Sequence, residues 1–121
     1  MKPIRIVDDI YHAHIYIIPK ADKDELIKFF YKKYGITYKY DVGCAGMHYR
    51  VSNEAQGVDD HYLIFNCFKN TPEGIGIFNH EISHLVFSVL SISGLKYCKQ
   101  SEEAYTYFLS YLTEKILDKL V

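Results

Sequence analysis

A chain of 121 residues is long enough for one domain and too short for two of ordinary size. Hydrophobic residues make up 49% and charged residues 24%, an ordinary globular balance that argues against a disordered or fibrous chain. The formal net charge of −1 lacks the basic excess that a large nucleic-acid surface needs.

From the N-terminus, Met1 to Asp9 is charged and has no apolar signal core. Nowhere does an unbroken apolar run reach the roughly 20 residues of a membrane span. Cys44, Cys67 and Cys98 are odd in number and none has CxxC spacing, so they read as small semi-buried residues in a reducing, cytoplasmic protein. Ile10 to Ile18, rich in β-branched and aromatic residues and stopped by Pro19, reads as a strand with His12 and His14 on one face. Ala21 to Tyr34 carries Leu26, Phe29 and Phe30 at helical spacing and meets a stop signal at Gly35. Ala45 to Ser52 and His61 to Phe68 read as two more strands, joined as a hairpin by the polar stretch Asn53 to Asp60.

Two helices follow. Thr71-Pro72-Glu73 is a helix start, with a capping side chain, proline at the first position and an acid at the positive end. The helix is expected to run to about Ile92 and stop at Gly94. Ile75, Phe78, Ile82, Leu85, Val86 and Val89 fill one broad face, and Gly76, His80, His84 and Ser91 lie opposite with Phe87. The last helix is expected from about Ser101, a cap candidate, to Lys119, with the stripe Tyr105, Phe108, Leu112, Ile116 and Leu120. The fold class is therefore α+β: one domain over residues 1–121, with a small, mostly antiparallel sheet of about three strands and two consecutive helices after it.

The string that carries chemistry is His80-Glu81-Ile82-Ser83-His84. Histidines four apart on a helix project one turn apart in nearly the same direction, so both imidazoles can reach one metal ion. Glu81 lies about 100° round the helix, badly placed as a ligand but able to take a proton from a metal-bound water. This is the HExxH arrangement. A catalytic zinc needs a third protein ligand and leaves its fourth place to water. Glu102 and Glu103, near the start of the next helix, both offer one. They differ by about 100° on the wheel, so only one can face the site; Glu103 shares its side with Tyr107 and Glu102 with Thr106.

The span from Asn79 to Tyr107 resembles the gluzincin branch of the zincin metallopeptidases, in which a glutamate from the following helix joins the two HExxH histidines. Eighteen residues stand between His84 and Glu103, the spacing common in that branch. The resemblance implies a Zn2+ held by His80, His84 and Glu103, with Glu81 as general base. It covers about a quarter of the chain in motif and most of the rest only in element order. Where many members carry an acid that orients the first histidine, this chain has Tyr107, whose hydroxyl could take that role. The helical subdomain that supplies an oxyanion donor is missing, which leaves His48, His61, Tyr62 and Tyr105 as candidates. The resemblance also implies that a strand next to the active-site helix pairs with an extended peptide, and His61 to Phe68 is the natural choice.

The expected function is a zinc-dependent hydrolase, a small metallopeptidase acting on a peptide or protein, with no nucleic-acid or membrane partner. The alternative is a non-catalytic zinc-binding or protein-interaction module, in which Cys98 or a strand histidine would close the fourth zinc position.

Overall fold

In a computed structural model, residues 1–39 and 45–121 are described; Cys44 lies outside them. Among the described residues the elements are β1 (Ile4–Val7), β2 (His14–Ile18), α1 (Lys23–Tyr34), β3 (Gly46–Asn53), β4 (Val58–Phe65), α2 (Pro72–Ile92) and α3 (Glu102–Leu120), with 3-10 turns at Glu54–Gln56 and Lys99–Ser101. The α+β class is as expected, but the sheet is mixed and four-stranded, in the order β1-β2-β4-β3. β1 and β3 are antiparallel to their neighbours, while β2 and β4 run parallel.

The extra strand, β1, lies in the charged N-terminal segment and was not foreseen. The expected strand Ile10 to Ile18 begins only at His14, because its first residues fold around a buried acid. The Asp8 carboxylate, fully buried, accepts the backbone N–H groups of Ile10, Tyr11 and Ala13, and His12 takes a positive φ of 59° in this turn. β4 begins three residues earlier than the expected strand and ends at Phe65, since Val58, Asp59 and Asp60 pair with Asn53, Ser52 and Val51 across the hairpin.

Helices cover both faces of the sheet. On one, Leu26 and Phe30 of α1 pack against Ile18, Val51, Tyr62 and Ile64. On the other, Phe78, Ile82, Leu85 and Val89 of α2 and Phe108, Leu112 and Ile116 of α3 bury Ile15, Ile17, Leu63 and Phe65. Each fully buried side chain of this kind contributes about 1.5–3 kcal/mol. Coverage on both sides explains why His61 to Phe65 are all buried, without the alternation of a half-exposed strand.

The α2 boundaries follow from its caps. Thr71 Oγ1 accepts the N–H of Gly74, Pro72 opens the first turn, and Gly94, at φ 88°, lets the chain turn out after Ser93. Gly74 has a second reason to be glycine: a Cβ there would lie 1.9 Å from the Lys69 carbonyl oxygen. By length and composition α2 is apolar enough to cross a membrane, although its apolar run is broken by His80, Glu81 and His84. Its Phe78, Ile82, Leu85, Val86, Val89 and Leu90 are buried in this domain. Ser101 stands at the N-cap of α3 but does not cap it through its side chain; its hydroxyl donates to the Lys96 carbonyl and accepts the N–H of Cys98. Cys67 and Cys98 are exposed free thiols rather than semi-buried ones.

Candidate functional site

His80 and His84 stand on an exposed side of α2, with Nε2 atoms 3.3 Å apart and ring centroids 4.9 Å apart. Two nitrogen ligands about 2.0–2.1 Å from a tetrahedral zinc would lie about 3.3–3.4 Å from each other. The pair therefore fits a shared ion. Glu81 lies about 100° round the helix from His80, beneath β3, and is only 8% exposed. Its Oε1 lies 3.9 Å from His80 Nε2.

The strand over this part of α2 is β3, the sheet edge. β4 is an interior strand, bonded on both sides, so the expectation that His61 to Phe68 offers a free edge is overturned by the strand order. Gly46 makes the close approach of β3 to α2: a Cβ there would come within 3.1 Å of Glu81 Cγ and 3.2 Å of Ile77 Cγ2. Two residues on, His48 shares the α2-facing side with Gly46. Its Nε2 is 3.1 Å from Nδ1 of His61, with the two ring planes 13° apart. His61 is 2% exposed, and its Nε2 lies 3.7 Å from Asp59 Oδ1. Asp59 accepts two hydrogen bonds from the Arg50 guanidinium, at 2.8 and 3.3 Å.

Glu103 and Tyr107 line a shallow hollow with Ile10, Tyr11, Ala104 and Phe108. Tyr107 is 70% exposed there. Glu102 is exposed in the first turn of α3. Among the described residues, no three His, Cys, Asp or Glu side chains stand together at metal-binding spacing. Two oxyanion candidates are also committed to other tasks. Tyr62 is buried toward α1, where its hydroxyl meets those of Tyr34 and the Lys33 amine, and Tyr105 donates to the Leu95 carbonyl. Cys98 lies among exposed residues between α2 and α3, its thiol lowered in pKa by hydrogen bonding to Ser101.

His48 is the strand histidine that the fold brings toward the HExxH helix. In the sequence it shows only as one polar residue on a strand face, the same signal as His12 and His14. Burial first, then repulsion from His61, His84 and Arg50, pushes its pKa down to about 4. His61 is lowered too, by burial foremost, with Asp59 opposing. In the unfolded chain both imidazoles titrate near 6.5. Between about pH 6.5 and 4 the unfolded state thus binds more protons than the folded one. The stabilising effect of keeping these rings neutral is complete above about pH 6.5 and is lost as pH falls toward 4. Urea unfolding of metal-free protein is expected to show a midpoint that drops between pH 7 and 5, with a shallower drop in His48→Gln. An equal drop in both would remove His48 from this account.

One turn beyond His84, Phe87 is 48% exposed and packs against Tyr97 and Tyr105 at 5.4 and 5.1 Å between centroids. These rings, with Ser91, Leu95 and Lys96, line an open hollow beside the histidine side of α2. No protein-family model, curated protein or solved structure matches the chain.

Proposed function

We propose that the protein is a zinc-dependent hydrolase, a small cytoplasmic metallopeptidase of zincin-like build, in which His80 and His84 hold the ion and Glu81 is the general base. The observation that carries this reading is the ligand-like 3.3 Å spacing of the two Nε2 atoms with a nearly buried carboxylate 3.9 Å from one of them. Burying a carboxylate is costly unless it is paired or near a metal, and a domain held together only by packing does not require one there. When bound, zinc supplies a Lewis acid and an acidified water. Glu81 then takes a proton from the attacking water and delivers it to the leaving amine. Among the described residues the backbone of β3 is bonded to the sheet along one side only, which lets it add an extended peptide as a further strand. The aromatic hollow at Phe87 offers a place for an apolar substrate side chain.

The third donor has two candidates: Glu103, which the motif spacing names, and His48, which the fold brings near. A non-catalytic zinc-binding or interaction module is favoured by one observation, the lack of a pre-assembled third ligand among the described residues.

Metal content tests the reading. Protein purified without added metal or a histidine tag is expected to carry about one zinc per chain by mass spectrometry. His80→Ala and His84→Ala are expected to carry none. A parent protein without zinc, even after incubation with it and dialysis, would mean that the two imidazoles merely hydrogen-bond each other.

A further inference from the structure

We propose that His48, on the edge strand, is the third protein donor to the ion held by His80 and His84, and that His61 and Asp59 fix the tautomer it needs. The inference rests on the metal reading above and replaces Glu103 in it.

Position is the first ground. Phe65, at the end of β4, packs on Phe78 near the start of α2, while His61 and Val89 line one hollow near the other end. α2 thus runs against β4. β3 also runs against β4, so β3 and α2 run the same way. Gly46 lies over Ile77 and Glu81. His48, two residues on, is about 6.6 Å further along at about 3.3 Å per residue. On a helix rising 1.5 Å per residue the same step leads from Glu81 to about residue 85. On the side of α2 that meets β3, the histidine at that level is His84.

Proton placement is the second. A carboxylate oxygen 3.7 Å from His61 Nε2 favours an N–H on that nitrogen and repels a lone pair. His61 Nδ1 is then the acceptor, and His48 Nε2–H donates to it across 3.1 Å. This leaves His48 Nδ1 with its lone pair bare, as metal ligation requires, and without the N–H that an oxyanion donor would need. Carboxylates commonly fix ligand histidines in this way, here through an intervening imidazole. Three histidines plus water is an ordinary catalytic zinc shell. Closing on the α2 pair takes a movement of the His48 ring or of β3, and among the described residues β3 is bonded to the sheet on one side only. Glu103, by contrast, opens on the hollow beside Ile10 and Tyr11.

The test is zinc affinity by chelator competition for the wild type, His48→Ala, His48→Gln, Glu103→Ala and His80→Ala, beside ring-nitrogen NMR of the 15N-labelled wild type during zinc addition. We expect the His48 variants to bind at least about a hundredfold more weakly, and Glu103→Ala to stay within about twofold of the wild type. His48 Nδ1 is expected to shift to a metal-bound position, a readout that needs no variant to fold. Wild-type affinity in the His48 variants, an unmoved Nδ1, or loss of zinc in Glu103→Ala would overturn the assignment while the α2 pair still binds. If His80→Ala binds as the wild type does, or the wild type binds no zinc, the metal reading itself falls and this assignment with it.

Discussion

Glu81→Gln is expected to keep about one zinc per chain and to lose hydrolysis by at least about a hundredfold, the usual contribution of a positioned general base. Glutamine has nearly the shape of glutamate, so the packing of its stem beneath Gly46 survives. What disappears is the ability to hold a proton between water and leaving amine. The same change is expected to leave the melting temperature equal or higher. Glu81 is 8% exposed and the nearest polar ring is that of His80, 3.9 Å from its carboxylate; a neutral amide is cheaper to bury there. Stability gained with activity lost is the pattern of a residue kept for chemistry. Cleavage can be read by mass spectrometry on a peptide library, and stability by thermal unfolding. A variant that cleaves like the parent would remove Glu81 from catalysis. One that is destabilised by more than about 1 kcal/mol would make it a packing residue.

The second large effect is structural. Asp8→Ala is expected to cost about 3–5 kcal/mol, because three backbone N–H groups lose a charged acceptor in a site closed to water. Against a total stability of about 5–15 kcal/mol that is a large share. The melting temperature should fall by about 10–20 °C. The loop that Asp8 gathers carries Tyr11, whose ring meets Phe108 of α3 edge-on at 4.9 Å. It also carries Asp9, whose N–H donates to the Tyr111 hydroxyl. Loosening the turn therefore loosens α3 from the sheet. Urea unfolding gives the measurement, and a loss below about 1 kcal/mol would show that water replaces the carboxylate at little cost.

Neither the Asp8 turn nor β1 had a signature in the sequence. A short strand and a buried acid inside a charged segment look like solvated chain until a long-range neighbour is known. The strand ends were misplaced for a related reason. Asp59 and Asp60 are poor strand formers alone, and they are extended because Ser52 and Val51 pair with them. By contrast, α1 and α2 were readable nearly to the residue. Asp22 and Gly35 bound the one, Thr71, Pro72 and Gly94 the other, and such caps act over three or four residues.

The candidate site divides along the same line. The facing of His80 and His84, and the offset of Glu81 by about 100° from His80, follow from helix geometry within five residues, so the sequence by itself determined them. Which third residue can join them depends on the side of α2 that meets α3, on the order of strands in the sheet and on the glycine that lets β3 approach. Those are relations between segments far apart in the chain. The family resemblance named Glu103, which lines a hollow with Ile10 and Tyr11, while the strand order sets His48, backed by His61 and Asp59, on the strand that lies over α2. Local periodicity and capping are written in neighbouring residues, whereas edge order and layer packing are settled by which apolar faces bury one another, and only the tertiary structure decides that.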